Sequence, residues 1–403
     1  MRVQYRPTHE ELRQWLRAHT IKGGADPFIP EIESTTLFEI FPKVVQDNYF
    51  LDTPFMAHLR DHCLAMFGGG SAMQQTFVYA PMVTGSYGPG QTFNTAKRQT
   101  IAGTRFDPKY YASIIPEYLE DLDVINRGDL AVFSLLNLDL ATGMNSICAN
   151  VAVALALHGQ PTTAGIVGNR PFDINGWIEA INDGITPGWD GSVFTTYGGQ
   201  ARNGAIVSAL NSIPKFVGDA TSGATGALTY SILEEAYWDA TIGRERPNLG
   251  STSKRGMAII KERIQPAQRV NMENAVDAYF GVTGVKMNDA IILPDDYWPS
   301  AAYGVNDPNL GNYLTSTFAV PAGVSSQSGL PAQGVTVTVG EVFVWLNTFK
   351  WLFRMSASPR YQFGLQGFFP AADTTKVVAR IHAMCNLICT APRQQKQIYG
   401  FAA

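Results

Sequence analysis

Charge is the first thing this chain has little of. Only 16% of its 403 residues are Asp, Glu, Lys or Arg, where a soluble domain carries about a quarter. That excludes a conventionally solvated surface over much of the molecule and predicts extensive burial in oligomer contacts. A net charge of −4 argues against electrostatic binding of nucleic acid over the whole surface and leaves room for a local basic face. Cysteine is equally scarce. Cys63, Cys148, Cys385 and Cys389 sit in apolar surroundings, which fits reduced, buried thiols in a cytoplasmic setting and no disulfide framework. The N-terminal segment has Arg2, Arg6, Arg13 and Arg17 among acids and no apolar h-region, so no secretory signal is expected. The longest apolar run, Val151–Leu157, is far below the ~20 residues needed to span a bilayer. A soluble, unexported protein without membrane contact is expected.

Signatures of chemistry are missing too. There is no GxSxG elbow, no GxxxxGK[ST] phosphate loop and no HExxH zinc helix. Gly85, Gly88 and Gly90 lack the strand-to-helix context of a dinucleotide fingerprint. His58 and His62 are four apart beside Cys63, which is ligand spacing on one helix face, but no third ligand is placed by the sequence. Cys385 and Cys389 fall on one face of a strand and are expected in the core. No catalytic, cofactor-binding or metal-binding residue is nominated, and no enzyme is expected.

What is present is a long arm followed by a long helix. Thr76–Gly85 reads as a strand and Ile101–Pro116 as its return. Their Gly-rich connection, Gly85–Gly103, is far longer than the two to five or so residues of a compact hairpin. A two-stranded ribbon is marginal alone in water, so this one needs a partner surface outside the subunit. Lys97, Arg98 and Arg105 are the only charges between Gly85 and Phe106. Glu117, Glu120, Asp121, Asp123, Asp129 and Asp139 outweigh Arg127 between Pro116 and Leu140. A basic arm and an acidic helix start suit the arm of one copy lying over the helix of the next. The helix is predicted over Asp129–His158, where Leu130, Phe133, Leu136, Leu140, Met144, Ile147, Val151 and Leu155 form one apolar stripe.

Around this stretch, Thr8 and Glu11 form a capping box for a first helix, and Lys22–Pro42 reads as an extended arm. A second helix starts at Pro54, capped by Asp52 or Thr53, and runs to Phe67 before Gly68-Gly69-Gly70. A domain boundary is expected near Phe172. Beyond it come helices Thr229–Ile242 and Ser253–Ile264, a short strand after Pro247 and one strand over Lys286–Leu293, which together indicate an α/β layer. Ala322–Gln333 is a loop. From Val335 the period becomes two, with Phe349, Trp351, Phe353 and Met355 on one strand face, followed by strands Tyr361–Phe369 and Ala383–Thr390. This last β-rich part is assigned to the first domain, leaving Asp173–Gly334 as an insertion.

In this order of parts the chain resembles the tailed-bacteriophage major capsid proteins, whose fold encapsulins share. Looser local likenesses accompany it. They are Tyr110-Tyr111 leading to Asp129, Asn175-Gly176-Trp177 to Gly184, Tyr197-Gly198-Gly199 with Arg202, Gly243–Leu249, Phe368–Pro370, Asn386 and Arg393. The resemblance implies an α+β capsid shell fold: an N-terminal arm (1–50), an extended β-ribbon loop (76–107), a peripheral domain (51–75, 108–172 and 335–403) with a spine helix over 129–158, and an inserted α/β axial domain (173–334). It implies no catalysis and a subunit that self-assembles into pentamers and hexamers of an icosahedral head, located in the virion and assembled in the host cytoplasm. Implied partners are a portal, scaffold and decoration proteins, and packaged double-stranded DNA. Lys97, Arg98, Arg105, Glu117, Glu120, Asp121, Asp123 and Asp129 become expected inter-subunit contacts. Arg2, Arg6, Arg13, Arg17, Arg393 and Lys396, with Lys376 and Arg380, become residues facing DNA. Some members of the family join a loop lysine to a neighbour's asparagine, for which Lys97 and Asn386 would be the pair here. No local pattern supports that bond, and a non-covalent shell is expected. The alternatives are an encapsulin-like compartment or, from another class, an enzyme with a cleft in the axial domain.

Overall fold

The computed structural model describes residues 53–92, 95–118, 135–159, 172–202, 207–264, 277–278, 282–300, 306–307, 311–312, 317–324, 326–370 and 376–402. The expected N-terminal arm with its capping-box helix, and the acidic start of the long helix, lie outside them.

Helix α1, Pro54–Cys63, buries Phe55, Met56, Leu59 and Cys63. It ends four residues earlier than expected. Leu64 is already extended, and Leu64–Phe67 leaves as strand β1, so the triple glycine follows a strand and not a helix. Strands β2, Met73–Val78, and β3, Ile101–Phe106, pair antiparallel from Met73↔Phe106 to Val78↔Ile101 and form the expected ribbon. The return strand is broken at Asp107-Pro108, since proline supplies no ladder N–H. Strand β4, Lys109–Tyr118, therefore joins a different sheet.

The spine helix α2 covers Leu135–Ala156. By length and composition, Leu138–Ala156 is long and apolar enough to cross a membrane. Here its second half is core, with Ile147, Val151, Val153 and Leu155 buried. The helix packs on a five-stranded sheet of β1, β4 and three later strands: β11 (Trp351–Ser356), β12 (Gln362–Pro370) and β13 (Lys376–Cys389). Strand β13, with 14 residues, begins well before the expected Ala383. Its residue Cys385 pairs with both Lys109 and Met355, so β4 and β11 lie on opposite edges. Gly143 lets helix and sheet approach, because a Cβ there would lie 3.2 Å from Ile115 and Ser113. Trp351, Phe353 and Met355 face inward as expected, whereas Phe349 sits in a 3-10 turn before β11 and is 80% exposed.

A second sheet has the order β8 (Val285–Met287), β9 (Ala290–Pro294), β7 (Leu249–Thr252), β10 (Glu341–Leu346), β14 (Lys396–Ala402) and β5 (Lys215–Phe216), with β6 (Gly226–Ala227) also on β14. The one-turn helix α3, Trp177–Ala180, precedes these strands in the chain. Helices α4, Tyr230–Asp239, and α5, Lys254–Ile264, contribute Leu233, Tyr237 and Ile260 to a core with Ile292, Phe343 and Trp345. Each helix is capped: Thr229 Oγ1 accepts from Ile232 N–H and Ser253 Oγ from Gly256 N–H. The expected single strand over Lys286–Leu293 is instead the hairpin β8–β9, turned at Asn288 with φ of 52°.

The larger correction concerns 335–403, expected to belong wholly with the first sheet. Strands β10 and β14 are central in the second. All six residues of β10 are buried, as befits a strand covered on both faces. Within 335–403 the chain thus crosses between the sheets twice, from β10 to β11 and from β13 to β14. One side chain ties the crossings together: buried Gln395 Oε1 accepts from Asn347 N–H (2.8 Å) and Trp351 Nε1–H (3.0 Å). Gln395→Leu leaves both donors unpaired and is expected to cost roughly 2–4 kcal/mol. Urea unfolding of unassembled subunits measures it.

Candidate inter-subunit surfaces

Several of the residues that carry the resemblance are scattered in sequence and meet at the elbow of ribbon and spine helix, among them Asn175, Gly176, Tyr197, Arg202 and Asn386. Asn386, fully buried on β13, donates through Nδ2 to Asp107 O (2.7 Å) and Asn175 Oδ1 (2.8 Å). Its Oδ1 accepts from the N–H groups of Asn175 (2.9 Å) and Leu387 (2.8 Å). Glu179, buried on α3, accepts from Asn175 Nδ2 and from Gly159 N–H just beyond the spine helix. Gly176 has Leu157 O 2.0 Å from where a Cβ would sit, so only glycine fits. Buried Arg202 donates to the carbonyls of Asn182 and Leu210 and lies 5.2 Å from the Tyr197 ring centroid. Burial pulls its pKa down to about 10, which leaves it a cation at neutral pH. Asp190 lies 3.6 Å from His158, both fully buried, and burial raises the Asp190 pKa.

The elbow aims the arm. Gly198 O accepts from Arg105 N–H, Gln200 donates to Gly103 O, and Phe106 meets Tyr197 edge to face at 5.0 Å. Gly198 has φ of 54°, and a Cβ there would come within 2.5 Å of Thr104 Cβ, so the ribbon root can lie directly on this turn. Beyond the root the arm leaves the body: Val78, Met82 and Tyr87 are 65–70% exposed. These side chains present an exposed apolar surface along the arm.

Of the expected contacts, Lys97 and Arg98 are exposed at the tip and make no ion pair among the described residues. Arg105 is exposed and only 4.0 Å from Asp107 at its own root. Glu117 is buried, its side chain turned inward from β4, and so is not a surface contact. Glu120, Asp121, Asp123 and Asp129 lie outside the described residues, as do Arg2, Arg6, Arg13 and Arg17. Arg393 is exposed, whereas Lys396 is buried and its Nζ is 2.9 Å from Asp239 Oδ2. Lys396 is therefore a structural pair and is withdrawn as a residue facing DNA. Asn386 has both amide atoms occupied inside the elbow, which removes the asparagine of the considered crosslink. The outer face of the five-stranded sheet was missed. Tyr110, Ile114, Tyr118 and Phe369 are each at least 49% exposed there, with Arg380 opposite Ile114 and Lys376 over the Tyr118 ring. The alternation of Tyr110, Ala112, Ile114 and Pro116 was the available signal.

The rings of His58 and His62 stack at 4.3 Å, and among the described residues no group of three His, Cys, Asp or Glu is placed to hold an ion. Burial, and then the neighbouring His62, lower the His58 pKa from 6.5 to about 4, with Asp61 opposing. Between those values the unfolded chain binds a proton that the native one refuses, so stability falls as pH drops through the window and this group adds no further loss below it. His58→Phe is expected to reduce the difference in urea midpoint measured on either side of the window.

No family model and no curated protein matches the chain. Solved structures do. A cyanophage A-1(L) capsid subunit superposes with TM-score 0.58 at 12% identity, over 91% of this chain and 98% of that one. The capsid of a native GTA particle gives 0.54 at 9%, over 91% and 96%. The holo-SrpI encapsulin complex from Synechococcus elongatus PCC 7942 gives 0.50 at 8%, over 93% and 96%. The chain has the α+β capsid shell fold common to these phage capsid and encapsulin subunits.

Proposed function

We propose that this chain is the structural subunit of a closed protein shell: the major capsid protein of a tailed-phage head, assembled as pentamers and hexamers around double-stranded DNA and without catalytic function. One observation carries the reading. The ribbon is fixed firmly at its root, and its apolar and basic tip has no place on its own subunit. In a monomeric enzyme such an arm would be a liability, whereas in a shell it is a bond between subunits. In this proposal the arm spans 76–107, the five-stranded sheet with α2 is the peripheral layer, and the seven-stranded sheet is the axial layer that surrounds the capsomer centres. The corrected axial layer includes 341–346 and 396–402. Arg2, Arg6, Arg13, Arg17 and Arg393 are assigned to non-specific contact with phosphate. Portal, scaffold and decoration proteins are its implied partners in the virion.

A second reading is specifically supported by the likeness to the encapsulin, which spans the whole fold. In that case the shell encloses protein. Expression of the chain alone, followed by sedimentation and electron microscopy, is expected to give closed megadalton particles. Small discrete oligomers would refute a shell of either kind. Nuclease-protected duplex DNA in particles recovered from the native source favours the head over the compartment.

A further inference from the structure

A cleft of about 370 Å³ opens beside the crossing from β10 to β11. Three turns form it. The turn after α4 is closed by the bridge between Ile242 and Glu245 and supplies Arg244, Glu245 and Arg246. The β8–β9 turn adds Asp289, and the 3-10 turn Thr348–Lys350 adds Phe349 and Lys350. Two of the three cations are matched: Arg246 Nη1 lies 2.5 Å from Asp289 Oδ2, and Lys350 Nζ lies 2.6 Å from Glu245 Oε1. Arg244 is exposed and has no counter-charge among the described residues. The cleft thus offers one free cation in company with the bare ring of Phe349. Its size, within the roughly 300–1,000 Å³ of ligand sites, admits a few side chains. A run of phosphates would meet Glu245 and Asp289 beside the cations, and a small inorganic anion would leave Phe349 uncovered. The chemistry that satisfies both is a carboxylate with apolar neighbours, as in an acidic peptide.

The chain carries such a peptide itself. Charge before α1 is segregated: residues 1–24 hold five Lys or Arg against two carboxylates, whereas 25–52 hold six carboxylates against Lys43 alone. Within the second stretch, Leu37-Phe38-Glu39-Ile40-Phe41 sets one carboxylate among four apolar residues. The route to the cleft is short. Helix α1, into which this stretch runs, packs against the turn that bears Phe349, and Cys63 Sγ donates to Thr348 O (3.2 Å). That helix is about 15 Å long, and the eleven residues between Phe41 and Thr53 reach about 40 Å when extended. We propose that Leu37–Phe41 lies in the cleft of its own subunit, with Glu39 against Arg244 and the flanking apolar side chains against Phe349. Because the peptide is tethered, its effective concentration at the cleft is high, and a modest contact suffices to hold it. The basic stretch 1–24 then extends beyond the anchor, where the phosphate contacts proposed above require it.

The test uses unassembled subunits of the full chain and needs no particles, so its failure leaves the shell reading standing. Hydrogen–deuterium exchange is expected to show the amides of Leu37–Phe41 protected, and several-fold less so in Arg244→Glu and in Phe349→Ser. Combining Glu39→Arg with Arg244→Glu restores the protection. Circular dichroism checks that each variant folds. Separately, oxidation of the double variant Glu39→Cys with Arg244→Cys is expected to give a faster-migrating monomer on a non-reducing gel, absent from either single variant. Exchange at Leu37–Phe41 as fast as in a free peptide, indifference to both cleft substitutions, a charge swap that restores nothing or a missing internal disulfide each overturns the docking. A disulfide that forms only between chains, in a mixture of the two single-cysteine variants, gives the cleft to a second copy and overturns it as well.

Discussion

The long-range geometry of this subunit depends on one buried amide. Asn386 uses both its oxygen and its nitrogen, and its four hydrogen bonds reach the entry to β4, the start of the segment after the spine helix, and its own strand. A buried amide left half-satisfied would cost about 1–3 kcal/mol for each unpaired group, so the segments it joins are fixed relative to one another. The ribbon root, one residue from Asp107, inherits that fixity. A few hydrogen bonds at the base thus set the direction of an arm whose tip has no internal support.

The same economy explains the composition. A protein with so few charges exposes apolar surface in several places, among them the arm, the outer face of the five-stranded sheet, and Phe349 at the crossing between sheets. Patches of this kind on a lone monomer invite aggregation. On a subunit whose contacts close under symmetry they are covered, and the residual charges decide register more than affinity. Buried charge follows another rule. Lys396 with Asp239, and Arg202 among carbonyls, are paired within the subunit because an unpaired ion in the core would be far more costly than any contact it offered outside.

Much of this was legible in the chain. The ribbon, the spine helix and the helices after Thr229 and Ser253 follow from periodicity and caps, which are local signals. The failures share a cause. Lys396 looked like a free cation because its partner Asp239 is 157 residues away. Strand β14 was missed because Lys396 and Gln397 head it, and their burial is decided by the second sheet. The break between β3 and β4 was passed over although Pro108 announced it. The elbow itself was visible only as scattered resemblance, since Asn175, Gly176, Tyr197, Arg202 and Asn386 acquire a shared meaning when the fold brings them together.

Occupying Asn386 inside the elbow also constrains how such a shell holds together. With that amide closed to a neighbour's lysine, cohesion through the proposed arm contact is non-covalent, and each contact alone is weak and screened by salt. Weak contacts suffice when closure makes them simultaneous. A subunit held by several neighbours leaves only if all its contacts break together, so the effective concentration of each re-forming bond is set by geometry, not by solution. That multiplication needs the arm to point the same way in every copy. Rigidity at the root and an exposed tip are therefore two halves of one requirement, and a change that loosens the elbow weakens the shell without touching any surface where subunits meet.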